Sequence, residues 1–116
     1  MKVIIAGGRD FNNYNFLCQK VDKILSRQKD IEIVSGVAYG ADKLGERYAI
    51  ERNLTITRFP ADWNTYGKSA GYRRNAEMAE YADALIAFWN RRSRGTKHMI
   101  DIANNKNLKV KISYYE

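Results

Sequence analysis

Three short stretches of this 116-residue chain combine glycine, hydroxyl and arginine groups in the way that anion-holding loops do. In the first, Gly7-Gly8-Arg9-Asp10-Phe11, two glycines allow backbone N–H groups to approach a phosphate, and Arg9 can add a charge-assisted hydrogen bond. A glycine pair is also an ordinary steric turn, so this loop alone leaves ligand contact and simple turning equally open. The second, Ser35-Gly36-Val37-Ala38-Tyr39-Gly40-Ala41-Asp42, is a turn of mostly small residues running into a helix, whose first N–H groups and positive dipole end suit an anion. Ser35, Gly36, Tyr39 and Gly40 are candidate contacts there. Asp42 either caps the helix or accepts hydrogen bonds from a ribose or a base. Glu46, one turn further on the same face, reads first as part of a solvated acidic surface and second as a catalytic carboxylate. The third stretch, Ser93-Arg94-Gly95-Thr96, sets hydroxyls and backbone donors at another helix start, which suits an anion better than bare solvent.

Residues 60–75, PADWNTYGKSAGYRRN, form a long connection rich in aromatic and basic side chains. Connections of that length are usually functional. Trp63, Tyr66 or Tyr72 can stack on a base, and Lys68, Arg73 and Arg74 can neutralise a phosphate, with Asn75 a further candidate contact; equally, the aromatics can simply pin the segment to the domain.

Positioning these groups requires an alternation of strands and helices. Residues 2–6 are a β-branched apolar run, and 13–28 then place Phe16, Leu17, Val21, Ile24 and Leu25 at helical spacing. The pattern repeats with strands at 31–35, 54–59, 84–88 and 108–113 and helices at 40–52, 71–81 and 95–106. Five strands and four helices in alternation predict right-handed crossovers and a parallel sheet covered on both faces, a three-layer α/β domain of Rossmann-like type. The runs VIIA and ALIAF are apolar at every position, as central strands should be, whereas Leu54/Ile56 and Leu108/Val110/Ile112 alternate with Thr, Lys and Ser. The economical strand order is therefore 3-2-1-4-5. Its order reverses between strands 1 and 4, and ligands of such sheets lie beyond the strand C-termini at that crevice. Arg9, Lys68, Arg73, Arg74, Arg91, Arg92, Arg94 and Lys97 all fall in or beside loops at that end.

The length allows one domain, residues 1–116. Twenty Lys and Arg against thirteen Asp and Glu give a net charge of +7, which favours anionic partners without choosing between nucleotide and nucleic acid. A single cysteine excludes an intrachain disulfide and a cysteine-based zinc cage, and His98 has no histidine or cysteine partner. The expectation is a cytoplasmic protein without resident metal or cofactor. The N-terminal apolar run is too short for a signal peptide, and no stretch is long and apolar enough for a membrane span.

GGRDF, SGVAYGAD, FPADW, GKSAGYRRN, ADALIAFW and SRGTKHMI, in this order, resemble the YspA-like (cpYpsA-related) branch of the SLOG superfamily, over residues 3–110. The superfamily is similar in fold to the Lonely Guy phosphoribohydrolases, often misnamed lysine decarboxylases, and to the core of the DNA-processing protein DprA. The resemblance implies a nucleotide or nucleotide-derived ligand, of ADP-ribose or NAD type, in prokaryotes and their phages. Homodimerisation through helical faces is implied by the resemblance alone. The chain departs from the family at Val37 and Tyr39, where a second glycine and an arginine are usual. In Lonely Guy enzymes an arginine, and a glutamate after a Gly-Thr pair, carry N-glycoside cleavage; Arg74 resembles the arginine, but the residue three beyond Thr96 is Met99. Glycoside cleavage usually needs a carboxylate to support an oxocarbenium-like transition state and activate water, and Asp10, Asp42 or Glu46 would have to supply it. Catalytic candidates are therefore Asp42, Arg74 and Glu46. The expected function is binding or sensing of a nucleotide-type ligand, with nucleotide N-glycoside hydrolysis as the alternative and single-stranded nucleic-acid binding as a third reading.

Overall fold

A computed structural model describes residues 1–115. Val3, Ile4 and Ile5 of β1 (Lys2–Gly7) are wholly shielded from solvent. Because successive strand side chains face opposite ways, such a strand needs cover on both faces. Its neighbours run parallel to it. β2 (Glu32–Ser35) lies on one side, with Val3 opposite Ile33, and β4 (Ala84–Trp89) on the other, with Ile5 opposite Ile86. β3 (Thr55–Arg58) extends the sheet beyond β2, and β5 (Lys109–Tyr114) extends it beyond β4. The observed order is β3-β2-β1-β4-β5, all parallel, as the alternating patterns of the two edge strands predict.

Two helices cover each face. α1 (Tyr14–Leu25) begins where the Asn13 side chain accepts the Phe16 N–H at 3.0 Å, and it buries Leu17, Val21 and Leu25, spaced four apart along one stripe. With α2 (Ala41–Glu51) it packs on Val3, Ile5, Ile33 and Phe88. The segment that the sequence reading leaves as a long connection contains a short helix, α3 (Trp63–Tyr66), and one 3₁₀ turn, Gly67–Ser69. The Asp62 side chain starts α3 by accepting the Thr65 N–H at 3.1 Å, a local cap that hydrophobic periodicity does not register. α4 (Ala70–Tyr81) and α5 (Arg94–Asn105) cover the opposite face, where Met78, Met99 and Ala103 meet Ile4, Val34, Leu85 and Ala87. The helices therefore number five among the described residues, against the four that periodicity predicts. Among those residues no helix is long and apolar enough to cross a membrane.

One contact sets how closely α2 approaches β1. A methyl group at Gly45 would lie 2.8 Å from both Cβ and Cγ2 of Ile5, and the Cβ is fixed by the strand backbone. Helix propensity favours Ala over Gly by about 1 kcal/mol, whereas overpacking a dense core costs about 1–3 kcal/mol. Gly45→Ala should therefore lower the urea unfolding midpoint, and a raised midpoint would show that α2 can move off the sheet freely.

Candidate functional site

All four βα turns of a parallel sheet emerge at the C-terminal ends of its strands, and here they enclose a cleft above β1 and β4. It has two lobes. The larger, about 240 Å³, is walled by Gly7 at the end of β1 and Arg9 after it, Asp42 of α2, Lys68, Arg74 and Asn75 around α4, and Ser93, Gly95 and Thr96 at the start of α5. The smaller, about 220 Å³, lies toward β2 and β3 between Gly36–Tyr39 and Pro60–Ala61. Arg9, Ala38, Trp63 and Arg74 line both.

Arg74 holds the middle of this arrangement. Its Nη1 donates to the Gly36 carbonyl and its Nε donates to Asn75 Oδ1 at 3.0 Å. A methyl group at Gly36 would sit 2.7 Å from both Arg74 Nη1 and Asp42 Oδ2, so the side chains of α4 and α2 close over a residue that has none. Asp42 is 5% exposed and accepts the Ala38 N–H at 3.2 Å. Burial pushes its carboxyl up to about 6; the Ala38 N–H and the charges of Arg74 and Arg9 only partly oppose this, and Glu46 adds to it. Burial likewise lowers the Arg74 guanidinium from its ordinary value, with Asp42 acting against the shift.

Glu46 departs from the solvated face that its sequence position suggests. It is 5% exposed, accepting the Ser35 hydroxyl at 2.6 Å and Arg58 Nε at 3.0 Å. It thereby ties α2 to the ends of β2 and β3 and does not line either lobe. Nothing in the local spacing of α2 pairs it with Arg58, because that partner comes from β3. Ser35 is buried with it, and its Oγ also accepts the Val37 N–H at 3.1 Å. Val37 has φ of +64°, a left-handed conformation that is costly for a β-branched residue. This turn projects Tyr39 outward, 77% exposed.

At the α5 end, Ser93 caps the helix, its Oγ accepting the Thr96 N–H at 3.3 Å and lying 2.9 Å from Thr96 Oγ1. Asn90, which the sequence reading does not single out, shapes the preceding loop: its Oδ1 accepts the N–H groups of Arg92 at 2.8 Å and Ser93 at 2.9 Å. An asparagine that bonds backbone two and three residues on is a recognisable turn device, and it is the signal that could have found it. Asn75 reaches across from α4, donating to the Gly95 carbonyl at 3.3 Å and lying 3.1 Å from His98 Nδ1. Burial lowers the His98 imidazole from its ordinary value, Asp101 opposing.

The glycines divide by cause. Gly7, Gly8 and Gly40 are each closed in by their own fold: a side chain at Gly7 would strike the Phe88 carbonyl, one at Gly8 the Tyr115 hydroxyl, and one at Gly40 the Gly8 carbonyl. Gly8 N–H is moreover committed to the Phe88 carbonyl at 3.2 Å. Gly95, by contrast, has no atom of the described residues beyond its own stretch of helix within 4 Å of where its side chain would stand, so tertiary packing does not explain it.

Two other candidates stand apart from the cleft walls. Asp10 turns away and accepts the Tyr115 hydroxyl at 2.6 Å, on the far side of the first loop, and Arg94 is exposed without lining either lobe. Of the basic side chains expected at this end, Arg9, Lys68 and Arg74 reach the cleft. Arg73 lies over the Tyr66 ring and Arg91 over the Tyr114 ring, while Lys97 pairs with Asp101 at 2.8 Å.

Comparison with known proteins agrees with this architecture. A family model described as "YspA, cpYpsA-related SLOG family" matches residues 1–66, which include the first two loops and β1 to β3. The chain is also similar to the Gene 61 protein of Mycobacterium phage D29, at 33% identity over 116 residues, covering 94% of this chain and 93% of that protein. No solved structure matches. A β1 loop and a small-residue β2 turn running into α2, laid out in the matched order within a parallel sheet of order 3-2-1-4-5, leave one assignment: the chain belongs to the YspA, cpYpsA-related family of SLOG proteins.

Proposed function

We propose that the chain binds a nucleotide-derived anion, of the ADP-ribose or NAD type, in the cleft above β1 and β4. The observation that carries this reading is Gly95. It stands in the first turn of α5 facing open space, where glycine has no propensity advantage over alanine and no described neighbour outside the helix demands it. A phosphate brought against the backbone N–H groups of a helix start does demand it. Arg9, Lys68 and Arg74 supply positive charge to the same lobe, and the two lobes together are on the scale of small-ligand sites, roughly 300–1,000 Å³.

Calorimetry with ADP-ribose, NAD, AMP and cyclic nucleotides tests the reading. At least one should bind, and Gly95→Ala should weaken that binding about tenfold or more while leaving thermal stability unchanged or slightly raised. Absence of binding by every member at high micromolar concentration, with Arg9 and Thr96 intact, overturns it.

Asp42 favours a second reading, hydrolysis of a nucleotide N-glycoside. A carboxyl that titrates near pH 6 in the cleft wall can take a proton from a water attacking the anomeric carbon as the bond to the base breaks. Met99, 1% exposed, brings no carboxylate to the α5 side, so Asp42 would act without the glutamate that the Lonely Guy enzymes place there. Incubation with a nucleotide panel and detection of free base decides this reading, and Asp42→Asn should abolish any turnover.

The same substitution has a stability signature. The folded-state value of Asp42 lies above its ordinary 3.8, so the neutral form favours folding; that contribution is complete below about pH 4 and is lost as pH rises through about 6. Asp42→Asn removes the loss. Its unfolding free energy, from denaturant titration, should exceed that of the unmodified chain at pH 8 by about 3 kcal/mol at most and should match it at pH 4. Equal pH dependence of the two proteins would show that Asp42 is not held neutral by burial.

A further inference from the structure

The chain carries eight tyrosines, four phenylalanines and two tryptophans. Among the described residues, every one of these rings has an aromatic or cationic neighbour except two, Tyr39 and Trp63. The other exposed rings near this end are engaged: Tyr66 by Arg73, Tyr72 by His98 at 4.3 Å, Tyr114 by Arg91. Tyr39 and Trp63 are 77% and 50% exposed, and both line the smaller lobe of the cleft. Scattered single aromatics on a surface need no explanation, but two unpartnered rings facing one recess do.

Both rings are carried on fixed backbone. The Tyr39 turn is held at one end by Ser35 Oγ on the Val37 N–H and at the other by Gly40, φ +79°, packed against the first loop. Trp63 opens the Asp62-capped helix, and its ring edge rests against Gly71 of α4, where a methyl group would lie 3.4 Å from Trp63 Cη2. Between them lie Val37, Ala38, Pro60 and Ala61, and among the described residues no side-chain carboxylate or amide lines the lobe. Arg9 and Arg74 stand at the junction with the larger lobe.

We infer that the smaller lobe is a clamp for a planar heteroaromatic ring of nucleobase type, with Tyr39 and Trp63 as its stacking surfaces. This rests on the anion-binding reading of the larger lobe and deepens it: the ligand is a base joined through a sugar to a phosphate, its phosphate end at Gly95 and its ring at Tyr39, with Arg9 and Arg74 over the link between them. Because the lobe offers two ring faces and small apolar side chains, its only cationic groups, among the described residues, being Arg9 and Arg74 at the junction, selection is mainly by stacking area, and purines are preferred over pyrimidines without strict discrimination.

Calorimetry with AMP and with ribose 5-phosphate, which lacks only the base, separates the two lobes. The intact chain should bind AMP about tenfold or more tightly than ribose 5-phosphate, the gain expected for one base–aromatic stack. Tyr39→Ala should reduce that difference several-fold, and Tyr39→Ala with Trp63→Ala should erase it, while ribose 5-phosphate affinity stays unchanged; Tyr39→Phe should retain it. Tyr39 is so exposed that its loss leaves the fold intact, which a thermal melt checks. Equal affinity of the intact chain for the two ligands, or an equal loss of both in Tyr39→Ala, overturns the clamp and leaves the anion site standing. Binding of neither ligand overturns the anion site and the clamp with it. A short oligonucleotide that binds tenfold tighter than AMP, with steep salt dependence, replaces the small ligand by a strand and likewise overturns the clamp as stated.

Discussion

The burial of β1 and β4 on both faces is the constraint from which the rest of the molecule follows. A strand with Val3, Ile4 and Ile5 in succession cannot lie at a surface, and covering it twice requires helices that cross from one strand to the next in parallel. Parallel crossovers put every strand-to-helix turn at one end of the sheet. Residues far apart in the chain, Arg9, Asp42, Arg74 and Gly95, then meet at the place where the strand order reverses. Chemistry collects there because the core leaves it nowhere else to go.

The electrostatics of that place are those of a site short of solvent. Arg74 is anchored to backbone at Gly36 and to Asn75, which leaves the rest of its guanidinium to balance Asp42. Neither charge is comfortable, and each makes the other tolerable. Glu46 is in a different position. It is buried at similar depth, but a hydroxyl and a guanidinium satisfy it, so it braces the second turn from behind and takes no part in lining the cleft. Two carboxylates one helical turn apart thus acquire different tasks from the partners that the tertiary fold brings to them.

Much of the fold is legible in the sequence because it rests on repeating patterns: continuous apolar runs mark the central strands, alternation marks β3 and β5, and the order follows from those two facts. The position of the cleft follows as well. What periodicity does not carry is the identity of single partners. Glu46 reads as surface because Arg58 arrives from β3, and Asp10 reads as a site residue because Tyr115, at the far end of the chain, is what claims it. The glycines are the sharpest case. In sequence they look alike as phosphate-loop residues, and only the surrounding atoms show that Gly7, Gly8 and Gly40 are shaped by packing and Gly95 is not. The short helix at Trp63 is set by one capping aspartate, a signal too local for a pattern of apolar residues to reveal.

Val37 changes the thermodynamics of whatever meets Tyr39. A glycine at a left-handed position could leave it easily and sample many others, whereas a β-branched side chain has few alternatives and is held there by the closure of the whole turn. The conformational entropy of that turn is therefore surrendered when the chain folds and not when a ligand arrives. A ring docking on Tyr39 would meet a backbone already ordered, so association would require little rearrangement of the turn and the remaining ordering cost would be that of the Tyr39 side chain itself.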